Sequence, residues 1–178
     1  MDKEPSEESS RLERLWAPWR ESYVTAPKTR AAALECFICR GLAEADDRSN
    51  LVVWRRPRSV VVLNRFPYNN GHLLIAPRAH KGRLDELDVE EITETQLTLR
   101  RMVNVLGGLI HPDGYNIGLN LGRVAGAGLP GHLHWHVVPR WSGDTNFMPV
   151  LADVKVIVQS LDTLYDLLTE RLRQDGAV

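Results

Sequence analysis

The hydrophobic period changes twice along this chain, and that change limits the fold more than any other feature. From Leu51, three short runs, "LVVW", "SVVVLN" and "HLLIAP", are apolar and mostly β-branched, each bounded by Pro, Gly or Asn. Runs in such close succession imply an antiparallel meander. "DVEEITETQLTLRRMVNVLGGLI" then puts Ile92, Leu99, Met102, Val103, Leu106 and Leu109 on one helical face. Asp88 is the expected N-cap, with Glu91 three residues on and Leu87 able to staple to Ile92. Gly107 and Gly108 weaken the last turn, and Pro112 ends it. "GYNIGLNLG" and "HLHWHVVP" return to period two. A final amphipathic helix from about Ser160 carries Leu161, Leu164, Tyr165, Leu168 and Leu172. Strands, long helix, strands, helix predicts an α+β fold: an antiparallel sheet of about five strands with helices packed on it.

A chain of 178 residues can bury a core without disulfide or metal staples. The first ten residues, "MDKEPSEESS", bury too little apolar surface to offset their ordering entropy and read as a flexible acidic tail. Residues 11–35, with Trp16, Trp19 and Tyr23 around Pro18, read as an aromatic arm laid on the body. Residues 36–150 form the expected main domain, and 151–178 a C-terminal extension with the amphipathic helix. The formal net charge of -1 supplies no basic field for nucleic acid or anionic membranes, so a phosphate ligand must be held by local groups. No apolar stretch reaches bilayer length and the start lacks a secretory pattern, which predicts a cytoplasmic protein without a membrane partner.

"GHLHWHVVPRW" places His132, His134 and His136 at alternate positions, three of the six histidines in the chain. On a strand they share a face opposite Leu133, Trp135 and Val137. Same-face neighbours lie roughly 6.5–7 Å apart, so the outer pair is separated by about 13 Å at the backbone. A tetrahedral metal needs each nitrogen within about 2.1 Å, so all three cannot easily share one ion. Imidazole titrates near neutrality, can be a nucleophile at one nitrogen and a donor at the other, and suits phosphoryl or nucleotidyl transfer.

"HLHWHVV" resembles the signature of the histidine triad superfamily, and "NRFPYNNGHLLIAPRAH" resembles that family's nucleotide-pocket strands. "LWAPWR" and "PRWSGDTNFMPV" are similar to its bacterial diadenosine tetraphosphate phosphorylase branch. The resemblance implies that His134 is the nucleophile forming a covalent nucleotidyl-histidine and that His136 contacts phosphate and assists the leaving group. It implies an adenine dinucleoside polyphosphate substrate, inorganic phosphate or water as acceptor, and a homodimer. It also puts Asn64 against the ribose or phosphate and Asn120 on phosphate, although each also suits a turn. Gly126, Ala127 and Gly128 of "AGAGLPG" offer backbone N–H groups to an oxyanion, but Ala127 and Gly128 stand where much of the superfamily has Gln and Ser or Thr. Trp141 stacks on adenine by this resemblance; packing in the core or a dimer explains it equally well. Arg65, Arg123 and Arg140 are further anion candidates. His72 and His111 receive no catalytic role, each being explained by a turn or helix end.

"CFIC" alone cannot complete a tetrahedral site. The resemblance to zinc-bearing members of the superfamily joins Cys36 and Cys39 to His80 and His132, a Cys₂His₂ set for structural zinc, against the alternative of two small thiols and two unrelated histidines. No redox cofactor is expected.

Overall fold

The computed structural model describes residues 36–146 and 156–177; the expected tail and aromatic arm lie outside them. The elements, in chain order, are α1 (Phe37–Ala43), β1 (Val52–Arg55), β2 (Ser59–Leu63), β3 (Leu73–Pro77), α2 (Val89–Ile110), β4 (Gly114–Leu119), β5 (Trp135–Arg140) and α3 (Leu161–Gln174). The strands form one sheet in the order β1-β2-β3-β5-β4, and every neighbouring pair is antiparallel. The α+β architecture read from the hydrophobic periods is therefore the observed one. Among the described residues, no helix is long and apolar enough to cross a membrane.

Helix α2 lies across the central strands and α3 packs against α2 and β1. Met102, Val105 and Leu106 of α2 are fully buried with Val60, Leu73, Ile75 and Val137 of the sheet. Each such side chain contributes about 1.5–3 kcal/mol on leaving water. The N-terminus of α2 forms by the expected capping box: Glu91 N–H donates to Asp88 at 2.7 Å, and Asp88 N–H donates to Glu91 Oε2 at 2.9 Å. Ser160 caps α3 by accepting from Thr163 N–H, and Leu164, Tyr165, Leu168 and Leu172 are its buried stripe. Trp54 Nε1 donates to Ala177 O at 3.0 Å, which ties the end of this helix to β1.

One detail departs from the periodic reading. In the first half of α2 the buried positions are Glu91, Thr95 and Thr98, while Ile92 is 39% exposed. The polar stripe is tolerated because each member is bonded. Thr95 Oγ1 donates to Glu91 O, Thr98 Oγ1 pairs with Ser59 Oγ, and Glu91 holds Lys81 Nζ at 2.6 Å. That last pair fixes the segment after His80 to the start of α2.

Candidate active site and metal site

Strand β5 begins at Trp135, so His136 lies within the ladder while His132 and His134 lie on the approach to it. His136 stands opposite Leu74 of β3 and Gly118 of β4. The His134 and His136 rings lie 5.0 Å apart, edge to face. His132 does not join a row of solvent-facing imidazoles; it is fully buried.

Hydrogen bonds fix which nitrogen of each ring carries the proton. A carbonyl only accepts, so the 2.8 Å contact between His134 Nδ1 and His132 O places the proton on Nδ1 and leaves the Nε2 lone pair free. Burial pushes the His134 pKa below its ordinary value, partly offset by that bond, so the ring is neutral near pH 7. His136 is held down to about 4 by burial and by the neighbouring His134. Both rings are thus neutral near pH 7, and His134 keeps an unprotonated Nε2.

His136 owes its proton placement to His72, a residue set aside at the sequence level as a turn histidine. Tyr68 N–H donates to His72 Nδ1 at 3.0 Å, and the Asn64 amide lies 3.2 Å from the same nitrogen. His72 Nε2 therefore carries the hydrogen and donates it to His136 Nδ1 at 2.9 Å. His136 Nε2–H is left facing the site; Asn120 Nδ2, itself a donor, stands 3.4 Å away, so Asn120 accepts from this ring only with its amide turned to present the oxygen. The turn residue Gly71 makes this approach possible. Its φ is +76°, and a Cβ there would meet Ile110 at 2.7 Å and Pro139 at 3.0 Å. Strand alternation was the available signal, since His72 shares parity with Leu74, which faces His136; the pairing of β3 with β5 had to be known first.

Asn64 takes the turn role of the two open to it, and adds a contact to His72. Its Oδ1 accepts from Phe66 N–H at 3.0 Å in a turn, while its amide reaches His72. It also lines a cavity of about 250 Å³ with Phe37, Arg40, Leu63 and Phe66. In the glycine-rich segment, Gly126 N–H donates to Arg123 O and Ala127 N–H to Gly122 O, so both are committed to the turn. Gly128 is the member of the three whose N–H stands outside that bonding. Trp141 is not brought to the triad: its indole N–H donates to His111 O at 3.1 Å, beside a separate cavity of about 590 Å³. His111 ends α2 in the left-handed conformation, as a helix-end residue. Arg65 bonds Ser49 O, and Arg140 is paired with Asp144.

The four metal candidates do converge. Donor atoms of Cys36, Cys39, His80 and His132 all lie within 4.8 Å of one another. Cys36 Sγ is 3.2 Å and Cys39 Sγ 3.5 Å from His132 Nδ1, and Cys39 Sγ is 3.2 Å from His80 Nδ1. Tetrahedral ligands on one zinc sit about 3.3–3.8 Å apart, so these contacts are close to coordination spacing. His132 Nε2 donates to Pro77 O at 2.8 Å, which leaves Nδ1 as the free lone pair aimed at the sulfurs. Burial, then the adjacent Cys36 thiol, pushes Cys39 up to about 11. The donor set fits a metal ion, and His132 joins the two sites: its ring faces the cysteines while its carbonyl holds His134.

The family described as HIT domain matches residues 46–143. The AP-4-A phosphorylase of Mycobacterium tuberculosis is 39% identical over 170 residues, which cover 92% of this chain and 86% of that protein. A bis(5'-nucleosyl)-tetraphosphatase [asymmetrical] of Schizosaccharomyces pombe is 31% identical over 93 residues, 52% of this chain and 50% of that protein. Among solved structures, a zinc-bound histidine triad family protein of Mycobacterium smegmatis superimposes with a TM-score of 0.63 at 24% identity, covering 82% of this chain and 99% of that one. With the family match spanning most of the sheet and the triad, and a relative of this identity along nearly its whole length, the chain belongs to the HIT domain family.

Proposed function

We propose that this protein cleaves dinucleoside polyphosphates, diadenosine tetraphosphate foremost, by phosphorolysis through a covalent nucleotidyl-His134. The observation that carries the reading is the 2.8 Å bond from His134 Nδ1 to His132 O, which holds a neutral imidazole with Nε2 unprotonated. Nε2 attacks the α-phosphorus, the bond to the bridging oxygen breaks, and the leaving nucleotide departs as its own phosphate. His136 Nε2–H donates to the charge developing on that oxygen. Inorganic phosphate then attacks the same phosphorus, the P–N bond breaks, and His134 is regenerated with a nucleoside diphosphate as product. The Mycobacterium tuberculosis relative's name supports phosphate as acceptor.

Asn64 and the cavity beside Phe37 hold the nucleoside, while Asn120 and Gly128 N–H meet phosphate oxygens. Trp141, standing away from the triad, is assigned to packing instead. Zinc is the metal proposed for Cys36, Cys39, His80 and His132; it is redox-inert and supplies cross-linking rather than chemistry. Exposed β4, an edge strand with Ile117 45% exposed, supports the expected homodimer. Hydrolysis is the second reading, favoured by the Schizosaccharomyces pombe relative's name. Incubation with diadenosine tetraphosphate with and without inorganic phosphate separates them. ADP plus ATP, formed only with phosphate present, is expected; AMP plus ATP formed without it makes the enzyme a hydrolase.

A further inference from the structure

The triad face continues along β5 beyond the catalytic pair. His134, His136, Val138 and Arg140 share parity, and so share a face, with Asn116 of β4 opposite Val138. At the far end of this row is a cavity of about 260 Å³ lined by Tyr68, Asn69, Asn116, Val138, Thr145 and the Arg140–Asp144 pair. Tyr68 forms its near wall. The phenol is 44% exposed and lies nearly parallel to the His136 ring, at 17° with centroids 5.6 Å apart. With His136 donating to the leaving oxygen, as proposed above, a leaving nucleotide that passes it meets Tyr68 next.

The charge of this cavity decides what it takes. Arg140 would suit a phosphate were it available, but its Nε and Nη2 hold both oxygens of Asp144, and its Nη1 holds Asn116 Oδ1 at 2.7 Å. Asp144 is kept down to about 2 by Arg140 and remains a carboxylate, so the pair brings no surplus positive charge. Asn69 is likewise committed, to Pro139 O, Asp144 and Asn70 N–H; what remains is the half-exposed Tyr68 ring, the Asn116 amide nitrogen and the Thr145 hydroxyl, around a space of base size. That combination recognises an uncharged planar heterocycle.

We propose that this cavity is the subsite for the second nucleobase of the dinucleoside substrate, with Tyr68 as its stacking platform. The proposal rests on the reading of the triad as a nucleotidyl-transfer site and adds where the leaving nucleoside is held. His134 and Val138 are four strand residues, about 13 Å, apart at the backbone, so the polyphosphate runs along the row between the two nucleosides. Preference for two nucleosides over one then comes from Tyr68, and not from the phosphate contacts.

The test is equilibrium binding in a His134→Ala background, where nothing turns over at that residue, using diadenosine tetraphosphate and adenosine 5'-tetraphosphate. These differ by the second nucleoside and by the extra charge on the free terminal phosphate, so the ratio of affinities is read against the Tyr68 and Asn116 variants. A base stacked on an aromatic side chain gains about five- to hundredfold in affinity, so the dinucleotide binds tighter by a factor in that range. Tyr68→Ala takes the ratio of the two affinities towards one, Tyr68→Trp restores it, and Asn116→Phe, which fills the cavity, also removes it. A ratio of one without these changes overturns the proposal, as does a Tyr68→Ala variant that weakens both ligands equally. Inorganic phosphate binding that Arg140→Gln abolishes, with no nucleoside preference, would make the cavity an acceptor site and also overturn it. A retained ratio in a protein whose wild type forms no nucleotidyl-histidine sinks the transfer reading and leaves the subsite standing; binding of neither nucleotide sinks both.

Discussion

Replacing His72 by Phe removes an acceptor for two donors and the donor to His136, and the two losses are measured separately. His72 is fully buried, so Tyr68 N–H and the Asn64 amide both lose their nitrogen partner. Asn64 is half-buried and can rehydrate, leaving about one orphaned donor at about 1–3 kcal/mol. For a chain of this size each kcal/mol moves the thermal midpoint by about 2–4 °C, so a fall of about 2–12 °C is expected. Without the 2.9 Å bond to His136 Nδ1, that ring is free to take the other tautomer or turn away. A neutral hydrogen bond is worth about 0.5–1.5 kcal/mol, which converts to a loss of about two- to tenfold in kcat. KM should stay near its wild-type value, because His72 touches His136 rather than substrate. His72→Gln, which can accept at one atom and donate from the other, should recover part of both losses. Steady-state kinetics and thermal unfolding on the three proteins decide it. A His72→Phe variant that loses stability but keeps wild-type kcat would refute the positioning role.

Three further outcomes follow from the same structure. Cys36→Ser combined with Cys39→Ser should abolish stoichiometric zinc, read by elemental analysis, and lower the thermal midpoint; a chelator that leaves wild-type stability untouched under reducing conditions contradicts the metal site. Asp88→Ala removes the cap of α2 and should cost about 1 kcal/mol, or about 2–4 °C, with activity retained; an unchanged midpoint means the box adds nothing. Burial lowers His136 from 6.5 to about 4 in the folded state, so between those values the unfolded chain binds more protons. Its contribution is therefore complete above about pH 6.5 and declines as pH falls towards 4. The wild-type thermal midpoint should therefore fall relative to that of His136→Gln as pH is lowered from 6.5 towards 4, and parallel curves would exclude this linkage.

The sheet was legible because "SVVVL" and "LLIAP" are continuous apolar runs between turn residues, and β2 and β3 are buried at every position. The ends of α2 were legible for a local reason: a cap and its partner stand three residues apart whatever the rest of the chain does. The buried stripe of Glu91, Thr95 and Thr98 was not. It is satisfied by Lys81 and Ser59, groups from other elements, and a helical period counts only apolar residues. The same limit applies to the site. His132, His134 and His136 announce themselves by alternation, and Cys36 with Cys39 by spacing, whereas His72 acquires its place only once β3 is set beside β5. Trp141 shows the converse. Proximity in sequence to the triad does not bring it there, because the extended chain carries it up to about 22–24 Å from His134 to the end against α2.

The central claim is that His134 becomes covalently nucleotidylated. Wild-type protein mixed with diadenosine tetraphosphate in phosphate-free buffer, quenched in alkaline denaturant that spares phosphoramidates, and digested for mass spectrometry tests it directly. One nucleoside monophosphate on the His134 imidazole is predicted, chased by inorganic phosphate to a nucleoside diphosphate and absent from His134→Ala. Turnover that His134→Ala leaves intact, or an adduct on any other residue, would contradict it.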